Sequence, residues 1–132
     1  MGNILVDTSA LYALTDSDDQ FHQRAVSLLD SLRGETLIVP NFILAEAHTI
    51  INKRLGPQAA KDFLNASLQD YAIERVTPED EMTAHAMLQE VSRSRNLSYF
   101  DVAAVALAER LGIERVFTFD RHFSQSGFKI IE

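Results

Sequence analysis

"LSYFDVAAVALAERLGIERVFTFDRHF", residues 97–123, carries a helix, a stop and a strand in one run. Val102 to Ala108 (VAAVALA) is apolar on every side, the pattern of a helix with no wet face. Ser98 opens that helix and Gly112 stops it. Arg115 to Phe119 then reads as a short buried strand, with Asp120 at its carboxyl tip. A carboxylate there is either a turn residue or a ligand.

Outward from this run, strands and helices alternate. Asn3 to Asp7 (NILVD) reads as the first strand and Ser9 to Leu14 as a short helix. After the polar break "TDSDDQ", Gln20 to Arg33 has helical spacing, with Phe21, Ala25, Leu28, Leu29 and Leu32 on one face. Gly34 ends it, and Thr36 to Val39 is the second strand. Phe42 to Leu55 is helical. Gly56-Pro57-Gln58 closes that helix and starts another, whose apolar positions are Phe63, Leu64 and Leu68. Tyr71 to Val76 is the third strand. Thr77-Pro78-Glu79-Asp80 is a helix start, and its helix runs to about Arg95. Gly127 turns the chain into a fifth strand, Phe128 to Ile131. The alternation predicts βαβ units and a mainly parallel central sheet. With no repeat, low-complexity tract or linker, residues 1–132 read as a single domain.

Composition narrows the chemistry. There is no cysteine, which excludes disulfides, thiolate zinc sites and cysteine nucleophiles and leaves only O and N ligands for a metal. The net charge of −7 lacks the basic footprint that nucleic acid wants, unless acids are clustered and neutralised by cations. "MGNILVDTSALYAL" has no basic n-region, and no run approaches the ~18 apolar residues of a membrane span. The expectation is a cytoplasmic protein with no membrane partner.

Four acids sit in awkward places. In an open parallel α/β sheet, ligands bind outside the carboxyl ends of the strands. Asp7 and Asp120 each follow apolar strand residues directly and belong at that edge. The bland reading of each is a cap, Asp7 within "DTS" and Asp120 over Arg121 to Phe123. Glu46 shares a helical row with Phe42 and Ile50, beside Ala45 and Thr49, so it points where its helix should be buried. A buried carboxylate needs a partner or a metal, and the bland reading is an edge-of-core Glu that snorkels out or pairs with an Arg. Asp101 lies three residues after Ser98, as in a capping box, yet it opens the least polar helix of the chain.

Taken together, acids that converge cannot all be ionised without a cation. Oxygen ligands suit Mg²⁺ or Mn²⁺. Such a site fits phosphodiester hydrolysis by metal-activated water. The helix start at Ser98 adds N–H donors for phosphate, and Ser9 and Ser98 could orient waters or a ligand carboxylate.

At these residues the sequence resembles a known family. "ILVDTSALYAL", "VPNFILAEA", "LSYFDVAAVALAERLGI" and "VFTFDRHF" are similar, in order and spacing, to a PIN-domain ribonuclease, specifically a VapC-type toxin of a type II toxin–antitoxin pair. The resemblance spans essentially the whole chain. It implies a PIN-like α/β/α sandwich and a metal-dependent endoribonuclease. The family's acidic metal residues map onto Asp7, Glu46, Asp101 and Asp120, and its small polar residues onto Ser9, Ser98 and Thr118. It also implies a cognate antitoxin that covers the active site and carries operator-DNA binding, and a homodimer.

Other features read more blandly. His22, His48, His85 and His122 are scattered; a histidine metal site or a Ser/His hydrolase is the sharper alternative. Arg121 would contact RNA phosphate or pair with a nearby acid. Lys53, Arg54, Arg93 and Arg95 end helices, where cations suit the dipole, and Arg93 and Arg95 are candidates to line an RNA path. Three other functions compete. A receiver-like signalling module wants a Lys late in the sheet, where this chain has Thr118, Phe119 and Asp120. An Asp-x-Asp phosphatase needs a second acid where Ser9 stands. A PIN-fold nuclease of housekeeping RNA processing would share every residue above.

Overall fold

Ile4, Leu5 and Val6 are wholly buried, and they form the strand about which the rest of the molecule is arranged. The computed structural model describes residues 2–90 and 98–132. The described elements are β1 (Asn3–Val6), α1 (Thr8–Thr15), α2 (His22–Ser31), β2 (Thr36–Pro40), α3 (Asn41–Leu55), α4 (Pro57–Asp70), β3 (Ala72–Glu74), α5 (Pro78–Glu90), α6 (Tyr99–Leu111), β4 (Arg115–Phe117) and β5 (Lys129–Ile130), with a 3-10 turn at Arg121–Ser126. The five strands form one sheet in the order β3-β2-β1-β4-β5, and every pairing is parallel.

The alternation of side chains along a strand divides the core into two layers. Leu5 is in register with Ile38 and Val116, and this set packs against Ala104, Val105 and Ala108 of α6. Ile4, Val6, Val39 and Phe117 belong to the other cluster, with residues of α1, α2, α3 and α4. Helices therefore cover both faces, and the architecture is an α/β/α sandwich. The all-apolar run Val102–Ala108 is buried throughout because α6 packs on the sheet and also on α5, through Ala84, Val102 and Ala106.

Several boundaries differ from the sequence expectation, each for a local reason. β4 ends at Phe117 rather than Phe119, since the Thr118 hydroxyl accepts the Asp120 N–H at 3.0 Å and bends the chain out of the ladder. The expected strand Tyr71–Val76 shortens to β3, an edge strand paired only with β2. α2 starts at His22 because the Asp19 carboxylate accepts the Phe21 N–H at 3.0 Å in a preceding turn. Phe21 is thus not on the buried face of α2; it is 39% exposed. Leu68 also faces outward, and Ser67 fills the buried position in its place. The part of the helix expected between Glu90 and Arg95 lies outside the described residues.

The start of α5 is tied to the end of α6. Thr77 and Asp80 exchange backbone-to-side-chain hydrogen bonds at 3.1 Å each, a reciprocal cap. The buried Asp80 carboxylate also accepts Arg110 Nε and Nη2 at 2.9 Å, and Arg110 Nη2 reaches the Arg75 carbonyl. This bidentate pair holds the Asp80 carboxyl below the ordinary range, the Arg110 hydrogen bonds being the main cause.

Candidate active site

β1 and β4 are neighbours in the sheet although β2 and β3 separate them in sequence. Successive strands are thus added on one side of β1 and then on the other. Such a reversal opens a crevice at the carboxyl edge. Asp7 follows β1 there, and Asp120 lies just beyond β4.

Asp7 stands at the N-cap position of α1, yet its carboxylate makes no cap hydrogen bond. Its Oδ2 instead accepts the Thr118 hydroxyl at 2.9 Å and the Ser9 hydroxyl at 3.2 Å. Ser9 Oγ and Thr118 Oγ1 are 3.0 Å apart, and Ser9 Oγ accepts the Phe119 N–H at 2.9 Å. Burial pushes the Asp7 carboxyl above its ordinary range, and the donors around it, Thr118 foremost, offset only part of that.

Glu46 projects from α3 toward α1, where the Thr8 hydroxyl donates to its Oε1. The wholly apolar stripe of α3 is Ile43, Leu44, Ala47 and Ile51. The row Phe42-Glu46-Ile50 runs beside that stripe and is half-buried, while Ala45 and Thr49 are exposed. Glu46 therefore borders the core rather than lying in it, and its partner is a hydroxyl rather than an Arg.

Asp101 and Ser98 form the capping box expected of their spacing. The Ser98 N–H donates to Asp101 Oδ2 at 3.0 Å, and the Asp101 N–H to Ser98 Oγ at 3.2 Å. Asp120 caps the 3-10 turn by accepting the His122 N–H at 3.0 Å, and its Oδ1 also meets His122 Nδ1 at 2.6 Å. Partial burial works against ionisation of Asp120, but the His122 N–H and ring outweigh it and lower the carboxyl. The same contact raises the His122 imidazole.

Asp7, Glu46, Asp101 and Asp120 all line one cavity of about 560 Å³, with Ser9 and Ser98. Thr118 lies behind Asp7, 2% exposed. Arg121 does not join them: its guanidinium turns toward Glu132, at 3.4 Å, in a separate groove. Arg93 and Arg95 lie outside the described residues. His22 bonds the Ala13 carbonyl and is not among the residues lining this cavity.

The cavity holds further residues besides the four acids, Ser9 and Ser98. Thr8 and His122 are hydrogen-bonded to site acids. Arg54 lines the wall, its guanidinium 5.0 Å from the Tyr12 ring centre. Extending the row Phe42-Glu46-Ile50 by one more helical step reaches Arg54, so the signal was present. Asp19, Phe21 and Phe100 complete much of the rim.

The donor set suits a hard divalent cation. Among the described residues, no Lys or Arg forms an ion pair with Asp7, Glu46 or Asp101. Their hydrogen-bond partners among the described residues are hydroxyls and a backbone N–H. Among the described residues, no three of His, Asp and Glu already stand at metal-holding separation, so a bound ion would draw them together or reach some through water.

A parallel five-stranded sheet covered by helices on both faces, with a carboxylate-lined crevice at its switch point, defines an α/β class whose ligands bind outside the carboxyl ends of the strands. The PIN domain family model matches residues 4–129, and the chain belongs to that family. Within it the likeness is to VapC toxins. The chain is 32% identical over 126 residues to the 23S rRNA-specific endonuclease VapC20 of Mycobacterium tuberculosis, covering 95% of each. The crystal structure of that protein, described as a sarcin–ricin loop cleaving toxin, superposes with a TM-score of 0.86 at 31% identity over 96% of both chains. VapBC2 of Rickettsia felis, solved with promoter DNA, has a TM-score of 0.76 over 98% of this chain and 97% of that one. Its 13% identity speaks only to the fold. Among the described residues, no helix is long and apolar enough to cross a membrane.

Proposed function

We propose that this protein is a divalent-metal-dependent endoribonuclease and the toxin of a toxin–antitoxin pair. The observation that carries this reading is that four carboxylates, just after β1, on α3, in the first turn of α6 and just beyond β4, line one cavity. The likeness to a 23S rRNA-specific endonuclease along 95% of both chains supports RNA as the substrate. A cognate antitoxin and a homodimer are the partners this reading implies, with operator DNA bound only through the antitoxin.

Asp7, Glu46, Asp101 and Asp120 would hold Mg²⁺ or Mn²⁺, and a bound ion would supply an activated water and charge neutralisation at the phosphate. The chain's own groups do the rest. Thr118 and Ser9 fix the rotamer of Asp7 through Oδ2. Ser98 orients Asp101 in the same way. Thr8 holds Glu46 toward the cavity. Arg54 and His122, the basic groups among its described lining residues, are placed to meet phosphate oxygens.

The test is cleavage of total RNA and of 23S rRNA by purified protein with Mg²⁺ or Mn²⁺, followed by sequencing of the new ends. Asp101→Asn should abolish cleavage with the fold retained, because an amide oxygen can still accept the Ser98 N–H. Cutting that persists in the variant, or in excess EDTA, rules out the proposed site.

A further inference from the structure

Phe100 is 50% exposed and lines the cavity next to Asp101 in the chain. Its ring leans on Phe42, with centroids 5.9 Å apart and planes tilted by 33°. The pair continues into a shallow groove with Ala45 and Ile50, which shares Glu46 with the cavity. A lone exposed apolar residue needs no explanation. A buttressed aromatic ring on the lip of a carboxylate cavity is different, because it sets an apolar face within reach of whatever the acids act on.

Electrostatics sharpen the point. The chain carries −7, and Arg54 and His122 are the basic groups among the described lining residues. The phosphate backbone, which dominates affinity in basic nucleic-acid binders, meets only these two basic groups among the described lining residues. Proteins that hold unpaired nucleotides use a second source of affinity, stacking of bases on aromatic rings.

We propose that Phe100, buttressed by Phe42, is a stacking platform for one unpaired base beside the scissile phosphate. This rests on the ribonuclease reading and extends it: the substrate is RNA with a splayed or single-stranded nucleotide at the cut. The apolar face belongs to the base, because the ring stands on the wall shared with Asp101 and Glu46, beside the acids that would act on the scissile phosphate.

The experiment uses an RNA oligonucleotide carrying a mapped cut site. Matched copies carry an abasic residue at each position flanking the scissile bond. Wild type, Phe100→Ala and Phe100→Tyr are compared for KM and kcat, with thermal unfolding of each. Phe100→Ala should raise KM about 5- to 150-fold on intact RNA, with kcat little changed. Phe100→Tyr should retain near wild-type KM. One abasic position should impose the same penalty on wild type and no further penalty on Phe100→Ala, the non-additivity of two groups in contact.

An unchanged KM in Phe100→Ala overturns the platform, as do abasic penalties that simply multiply with the mutation. So does a variant that loses kcat and melting temperature together without that coupling, or one that weakens only antitoxin binding. Wild-type protein that cuts no RNA removes the ribonuclease reading and the platform with it. Wild-type protein that cuts while Phe100→Ala matches it removes the platform alone.

Discussion

Capping a helix and facing a cavity are compatible duties for a single carboxylate. Asp101 commits Oδ2 to the Ser98 N–H, and Asp120 commits Oδ1 to His122, while both still line the cavity. The caps were legible from spacing alone, since a Ser-x-x-Asp pattern is local. Asp7 went the other way. "DTS" has the composition of a cap, but the carboxylate turns to Thr118, 111 residues away. That bond makes Thr118 the sharpest test at this scale. Thr118→Val keeps the shape and removes the hydroxyl, so it should cost about 1–3 kcal/mol of stability by denaturant unfolding. Freed from that donor, Asp7 should hold Mn²⁺ about 10- to 100-fold more weakly by calorimetric titration. Ser98→Ala removes a cap acceptor and should lower stability by about 1 kcal/mol, with Ser98→Gly closer to wild type.

Among the elements, α6 matters most, because its N-terminus carries Asp101 and its C-terminus is moored by Arg110 to Asp80 of α5. Breaking a buried pair from one side costs roughly 3–5 kcal/mol. Arg110 is 35% exposed, so Asp80→Ala should cost about 2–3 kcal/mol. The Asp80 carboxyl is lowered in the folded state, so its contribution is fully present above the unfolded value near 3.8 and is lost as pH falls through the folded value. Asp80→Asn should therefore show a shallower loss of stability below about pH 4 than wild type, measured by urea unfolding across the acid range. If the two slopes match, the ion pair is not what the acid limb reports. The apolar run Val102–Ala108 announced a buried helix correctly. The helix face at Glu46 was open between core and edge, and the structure sets it at the edge. Periodicity finds a stripe, but its edges depend on how α1 and the sheet meet α3.

At the scale of the molecule, a cation that binds the folded cavity and not the unfolded chain would stabilise the fold by mass action. Mg²⁺ or Mn²⁺ at a hundredfold excess over Kd should add about 2.7 kcal/mol, a rise in Tm of roughly 10 °C for a domain of this size. Asp7→Asn should abolish most of that rise in differential scanning fluorimetry. An equal rise in wild type and variant would mean that the ions bind elsewhere. The sequence by itself determined the α/β alternation, the caps and the identity of four acids beside apolar runs, because these are written in short-range periods and spacings. Only the tertiary structure decided that β1 lies beside β4, which brings Asp7 to Thr118 and Asp120, that Thr8 answers Glu46, and that Arg121 turns away to Glu132. Strand order and helix rotation depend on which apolar faces bury one another across the whole chain, and no local pattern encodes that.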